Sequence, residues 1–216
     1  HGGFVPWDDD FDVGMMRKDY ERLKLILKEN FKSIDISKIS ASKGNSIQVI
    51  DSALKNSNGE ILYYNGPKYT QIYQGESFKN CRLIEVFPHE YYKDEYTLTE
   101  YKKYMSTIKN QLGLIDSWQD MTDFLNLEIA NNKNVADKSS FIYYGVDSLG
   151  SYIVNPTGPM SQDMIFPRQK VKFEGYEFWA PNDPDGYIRV QYPDYWNFPS
   201  NFSIAPLLEI KTKQKS

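Results

Sequence analysis

Apolar residues recur every three or four positions in three stretches, which predicts helices over residues 17–31, 97–113 and 117–129. The second helix begins with a capping box, in which Thr97 precedes Glu100 by three positions. The apolar stripes of the first two helices are Tyr20, Leu23, Leu27 and Phe31, and Tyr101, Met105, Ile108 and Leu112. The second and third helices are predicted to be scaffold.

Short apolar runs between the first two helices predict strands of an antiparallel region. The runs cover residues 47–50, 61–64 and 69–73, and Asn58-Gly59 is a hairpin signal between the first two. Nearer the C terminus, residues 141–144 and 151–154 are also strand-like.

The run Cys81–Phe87 is almost continuously apolar and ends at Pro88, which predicts an interior strand. Glu85 stands alone in its middle. An ionised carboxylate in an apolar strand costs several kcal/mol unless it meets a cation or becomes protonated. Glu85 is therefore a candidate metal ligand; the alternative is an edge position with Glu85 in water.

Alternating residues around Glu174-Gly175 predict a hairpin near the C terminus. Turn residues fill positions 181–186, and residues 187–192 fit a short helix or a short strand. Basic side chains at the hairpin, Arg168 and Lys170 among them, are candidates for contacting phosphate. The alternative is that they are solvated charges on a surface hairpin.

Four aspartates, Asp8, Asp9, Asp10 and Asp12, lie within five positions and are flanked by apolar residues. Two like charges ~4–5 Å apart repel by roughly 3–4 kcal/mol at an effective dielectric constant of ~20. In an extended segment, Asp8, Asp10 and Asp12 share one face and Phe11 the other. A magnesium ion would make the cluster favourable, since hard cations prefer carboxylate oxygens. The alternative is a capping or turn cluster.

Composition describes an ordinary soluble protein of 216 residues, with 40% hydrophobic residues and a net charge of −4. This charge gives no reason to expect nucleic acid as a partner. Cys81 is the only cysteine, so no internal disulfide is possible and a reducing compartment is expected. No apolar run approaches the ~18–20 residues of a membrane span. We expect one domain over residues 1–205 and a solvated tail over 206–216.

Three blocks in order resemble the LicD family, whose members are similar to fukutin and the fukutin-related protein. The first block is residues 1–23 and contains the aspartate cluster, Trp7-Asp8-Asp9-Asp10-Phe11-Asp12. The second is Leu83-Ile84-Glu85-Val86-Phe87-Pro88, which resembles the family's second acidic strand. The third is residues 165–199 and contains Ala180-Pro181-Asn182 and Tyr192-Pro193-Asp194-Tyr195. The resemblance implies an α+β, nucleotidyltransferase-like fold, with a mixed or antiparallel sheet flanked by helices and a C-terminal hairpin block.

The resemblance also implies a transferase that moves a phosphoalcohol, typically phosphocholine from CDP-choline, to a sugar hydroxyl of a cell-surface glycan or teichoic-acid precursor. Carried over by position, Asp10 and Asp12 are the metal-binding pair, Asp8 the flanking acid and Glu85 the third carboxylate, with Mg²⁺ or Mn²⁺ as the ion. These four acids are the predicted catalytic residues. The predicted substrate contacts are Arg17, Arg168, Lys170 and Asp194.

Two departures from the family pattern affect the expected activity. The preceding strand and Gly-rich turn of the family would lie before His1, so the sequence leaves the activity of this chain alone open. Pro193 stands where the family has glycine.

The expected partners are a CDP-activated alcohol and a glycan or lipid-linked saccharide. The protein is expected in the cytoplasm or, as a peripheral protein, at the inner face of the membrane. The alternatives are a nucleotidyltransferase that releases pyrophosphate and a non-catalytic glycan-binding or assembly module.

Overall fold

The structure is a computed structural model that describes residues 11–36, 39–40, 44–148 and 159–197. The predicted strand 151–154, the predicted tail 206–216, and Asp8 and Asp10 lie outside the described residues. The strands are β1 (Phe11–Met16), β2 (Lys32–Ser33), β3 (Ile61–Asn65), β4 (Thr70–Gly75), β5 (Cys81–Tyr92), β6 (Val135–Ala136), β7 (Phe141–Tyr144), β8 (Met160–Ser161), β9 (Gln169–Phe173) and β10 (Tyr176–Ala180). The helices are α1 (Arg17–Asn30), α2 (Ser46–Lys55), α3 (Leu98–Leu112), α4 (Trp118–Asn131), α5 (Gln162–Ile165) and α6 (Pro184–Gln191).

The main sheet is organised around β5, and β9 and β10 form a separate hairpin. Along one edge of β5 lie first β4 and then β7, both antiparallel to it. Along the other edge lie β1, which is parallel to β5, and then β6, which is antiparallel. The pairs β3–β4 and β7–β8 are also antiparallel, and β2–β3 is parallel. The predicted α+β class, with a mixed and mostly antiparallel sheet flanked by helices, is confirmed.

Strand β5 continues past Pro88, so the prediction that the strand ends at this proline is wrong. The last β4 pair is Thr70 with Val86, and the first β7 pair is Tyr144 with His89. Pro88 therefore lies where β5 changes neighbours along that edge. Its carbonyl points to the same edge and accepts hydrogen bonds from the Gly145 amide and the Ser148 hydroxyl. Because the missing amide faces the gap between β4 and β7, the proline removes no ladder hydrogen bond.

Apolar clusters cover both faces of the sheet. On one face, the predicted stripe of α3 is fully buried with Tyr92 and Tyr143, and α4 packs against α3. Strand alternation places Phe87 and Tyr144 on the opposite face, where they pack against α6. Helix α2 covers β3 and β4 on that second face, where Leu62 and Tyr73 are buried. We call this second face the site face, because Asp12 and Glu85 point to it.

The structure corrects two local predictions, decides between helix and strand at a third place and confirms a fourth prediction. Residues 47–50 were predicted as a strand but belong to α2, because Ile50 and Leu54 at i and i+4 form its buried stripe. Asn58-Gly59, with positive φ at both residues, therefore joins a helix to β3 rather than two strands. Residues 187–192 fall largely in α6, which begins at Pro184 within the predicted turn. The hairpin around Glu174-Gly175 is confirmed as β9 and β10.

Candidate active site

Three polar side chains form a row across the site face. In the parallel pairing of β1 with β5, Asp12 is the partner of Glu85, and in the pairing of β5 with β4 the partner of Glu85 is Gln71. Paired residues point to the same face, and neighbouring strands are about 4.8 Å apart. The row Gln71–Glu85–Asp12 therefore brings two carboxylates side by side from segments that are far apart in the sequence.

Glu85 is held in place by its neighbours in the row. Gln71 donates a hydrogen bond from Nε2 to Glu85 Oε1 (2.5 Å), and its Oε1 accepts one from the Tyr73 hydroxyl (2.9 Å). Tyr73 is fully buried, and burial, reinforced by the charge of Glu85, raises the pKa of its hydroxyl far above the usual value. The hydroxyl therefore stays protonated and fixes the orientation of the Gln71 amide, which in turn orients one oxygen of Glu85. Strand β5 is flanked on both sides here, so the alternative of an edge position for Glu85 does not hold.

The pair Asp12 and Glu85 fits the chemistry of a divalent cation. Glu85 is half-buried and Asp12 is exposed, so the pair combines partial desolvation with access from solvent. Two carboxylates at a strand spacing repel by roughly 3–4 kcal/mol at an effective dielectric constant of ~20. A cation bound between them makes the net electrostatic energy favourable. Within the described residues, no group of three or more His, Cys, Asp or Glu side chains is arranged to hold a metal ion. Asp10, the predicted partner of Asp12 in the metal-binding pair, and Asp8 lie outside those residues, so the complete set of four acids stays a prediction.

A cavity of about 240 Å³ opens beside Asp12 on the site face. Its walls come from β1, β5, β7 and α6 and include Gly14, Tyr187 and Gln191. A Cβ at residue 14 would lie 2.6 Å from the His89 ring and 3.0 Å from the Tyr187 hydroxyl, so glycine is required for this close packing. Gln191 Nε2 is buried and has no hydrogen-bond partner in the described part of the chain, so it is a donor available to a ligand.

His89 supports the floor of this cavity as a neutral ring. Its Nδ1 lies 2.9 Å from the Phe87 carbonyl, to which it donates, and its Nε2 lies 3.4 Å from the Tyr187 hydroxyl. Burial lowers the pKa of His89 to about 4. A neutral ring can accept from Tyr187, so His89 positions a residue that lines the cavity. Sequence reasoning missed this role because a single histidine carries little signal.

Arg17, predicted to contact substrate, is engaged by acidic side chains on the opposite face of the sheet. Its Nη atoms both pair with Asp147, at 2.8 Å for the longer contact, and its Nε donates to Glu90 at 2.6 Å. Both carboxylates are buried. This arrangement stabilises the junction of β1 with α1, and a direct contact of Arg17 with substrate stays a prediction.

The remaining predicted substrate contacts lie in the C-terminal part of the chain. Arg168 and Lys170 stack over the Trp179 ring, with Lys170 Nζ 4.3 Å from its centroid. The same hairpin reaches β1, because the rings of Phe178 and Phe11 lie 5.8 Å apart. Asp194 is exposed in the turn after α6. No described contact joins Arg168, Lys170 or Asp194 to Asp12 or Glu85, and their roles stay predictions.

Residues 1–106 match the model of the family described as LicD/FKTN/FKRP, nucleotidyltransferase domain. These residues belong to the LicD family. The match contains all three members of the row Gln71–Glu85–Asp12 and ends within α3. The C-terminal block that resembles the family, residues 165–199, lies beyond the matched residues.

The LicD family domain over residues 1–106 indicates a transferase, with a general role in phosphotransfer and glycan modification. No curated protein and no solved structure matches the chain. Among the described residues, no helix is both long enough and apolar enough to cross a membrane.

Proposed function

We propose that this chain catalyses the metal-dependent transfer of a phosphoalcohol, phosphocholine from CDP-choline in the first instance, to a sugar hydroxyl of a cell-surface glycan or teichoic-acid precursor. The observation that carries this proposal is the direct pairing of Asp12 with Glu85 on adjacent strands of one sheet. Phosphoryl transfer asks for positioning and charge stabilisation more than for covalent chemistry by the protein. Two converging carboxylates beside a cavity are suited to that task.

The role of Asp12 and Glu85 is to hold Mg²⁺ or Mn²⁺, together with Asp10, which is included on the sequence argument alone. When bound, the ion supplies charge neutralisation to the diphosphate of the donor. Gln71 keeps one oxygen of Glu85 occupied, which leaves the other oxygen available to the ion. Asp8, also included from the sequence, is the proposed base for the acceptor hydroxyl.

The cavity beside Asp12 is the proposed binding place of the acceptor sugar. Aromatic walls from Tyr144, Tyr187 and Tyr192 suit the apolar face of a sugar ring, and Gln191 Nε2 is a donor for one of its hydroxyls. A hydroxyl bound here lies next to the Asp12 carboxylate and therefore near the proposed metal ion. Arg168, Lys170 and Asp194 are proposed to contact the donor or a lipid-linked acceptor at the rim, which would bring the protein to a membrane surface as a peripheral partner.

Product analysis tests the proposal. The purified chain is incubated with Mg²⁺, an acceptor saccharide and CDP-choline, CDP-ribitol, CDP-glycerol or CTP, and the products are separated by mass. We expect CMP and a phosphoalcohol-bearing sugar from a CDP-alcohol, and at least a hundredfold lower turnover in Asp12→Asn and in Glu85→Gln. Asp19→Asn, an exposed acid on α1, is the matched control and should retain activity.

Two outcomes would overturn the proposal. Pyrophosphate release from CTP would identify a nucleotidyltransferase instead. Binding of the saccharide without turnover of any donor, unchanged in Asp12→Asn, would identify a non-catalytic glycan-binding module.

A further inference from the structure

A second cavity, of about 260 Å³, lies at the other end of the row, on the Gln71 side of the site face. It is enclosed by β3, β4, α2 and the start of α4, and its walls include Tyr64, Lys68, Gln71, Tyr73 and Trp118. The two cavities therefore flank the pair of carboxylates. We call this one the aromatic cavity, because five of its described wall residues carry aromatic rings.

Two hydrogen-bond donors in the wall of the aromatic cavity have no partner among the residues that the structure describes. The Tyr64 hydroxyl and the Trp118 indole nitrogen are both buried, and neither makes a hydrogen bond in the described part of the chain. The Tyr64 side chain is 4% exposed, and its ring lies 5.8 Å from that of Trp118. Buried polar groups in proteins are nearly always hydrogen-bonded, so an unpartnered pair on one cavity wall indicates a ligand that supplies acceptors.

The chemistry of the walls restricts the ligand further. None of the described residues that line the cavity is Asp or Glu, and the Lys68 side chain lies at its exposed rim. A quaternary ammonium would be repelled by Lys68 and would leave both donors unpaired, although the rings alone would attract it. A flat, uncharged ring with acceptor atoms would stack on the aromatic walls and satisfy the donors. The volume lies below the usual ~300–1,000 Å³ of sites for whole small molecules, which favours a single ring.

We propose that the aromatic cavity binds the pyrimidine base of the nucleotide donor, with Tyr64 and Trp118 as its specificity-determining residues. This inference rests on the proposed function for the identity of the donor. Gln71 belongs both to the cavity wall and to the row, and two strand spacings, about 10 Å in all, separate it from Asp12. A base in this cavity would therefore direct its ribose and phosphates along the row toward the carboxylates.

Calorimetric titration of the full chain with CMP, AMP and ribose 5-phosphate in Mg²⁺ tests the inference. We expect CMP to bind at least tenfold more tightly than AMP or ribose 5-phosphate. Tyr64→Phe should weaken CMP binding about tenfold and leave ribose 5-phosphate binding unchanged, because only the hydroxyl facing the base is lost. The unfolding temperature of the ligand-free variant should not fall, since the deleted hydroxyl has no partner to lose. Tyr63→Phe, on the opposite face of β3, is the matched control and should bind CMP normally.

Trp118→Phe is the second test variant and should also weaken CMP binding selectively. Unchanged CMP affinity in both variants would overturn the inference, as would equal affinities for CMP and AMP. The two proposals fail separately. Base-dependent binding without turnover of any CDP-alcohol overturns the proposed function alone, whereas turnover of CDP-choline with an unchanged KM in Tyr64→Phe overturns the cavity assignment alone.

Discussion

Replacing Arg17 by methionine removes the cation that holds Glu90 and Asp147 together. Both carboxylates are buried, at 3% and 7% exposure, and the guanidinium makes three hydrogen bonds to them. Breaking a buried ion pair from one side costs about 3–5 kcal/mol, because the partner charge is left without compensation. For a chain of this length, each kcal/mol shifts the unfolding temperature by about 2–4 °C. We therefore expect Arg17→Met to unfold roughly 6–20 °C below the wild type.

Urea and thermal unfolding, followed by circular dichroism, measure this loss. Arg22→Met, an exposed position on the same helix, is the control and should change stability by less than about 0.5 kcal/mol. Adding Glu90→Gln to Arg17→Met should recover part of the loss. Lower pH should also reduce the loss of stability in Arg17→Met. Burial already raises the pKa of Glu90, and protonation removes its unpaired charge. A loss below about 1 kcal/mol, accompanied by weaker binding of CDP, would refute the structural role and support the contact with phosphate predicted from the sequence.

Three further perturbations have defined outcomes. The pKa of His89 is lowered to about 4 from an ordinary value of 6.5. The stability that its neutral ring contributes is therefore fully present above pH 6.5. The free energy of unfolding should decrease by roughly 3 kcal/mol between pH 6.5 and pH 4. An equal dependence of this free energy on pH in the wild type and in His89→Gln would contradict the prediction. Gly14→Ala should cost about 1–3 kcal/mol in urea unfolding, because the new methyl group meets the His89 ring; an unchanged midpoint would show that the packing is loose. Thr97→Ala should cost about 1 kcal/mol through loss of the capping box, with Thr107→Ala on the same helix as control.

Local patterns in the sequence were sufficient for most of the scaffold. The stripe of α3 and its capping box were predicted residue by residue, because both depend on spacing within one helix. Helix α2 was predicted as a strand, since Ile47-Gln48-Val49-Ile50 is β-branched and too short to distinguish the two periods. Leu54, four residues after Ile50, was the signal that would have extended the window into a helix.

The site was predicted in part, and its missing members depend on contacts between distant segments. Glu85 was recognisable as a charge isolated in an apolar strand, and its pairing with Asp12 follows from a parallel register that sequence spacing does not determine. Gln71 carried no signal beyond a single amide between apolar neighbours. The engagement of Arg17 with Asp147 joins positions 130 residues apart, which no local pattern can predict.

The proposed site requires that Asp12 and Glu85 share one divalent cation. A titration with Mn²⁺, with free ion followed by electron paramagnetic resonance, tests it in the wild type, Asp12→Asn, Glu85→Gln and the double variant, with Asp19→Asn as control. We predict that each single substitution raises the Kd at least tenfold and that the double variant binds little more weakly than either, because both carboxylates act on the same ion. Wild-type affinity in either single variant, or purely additive losses, would contradict the account.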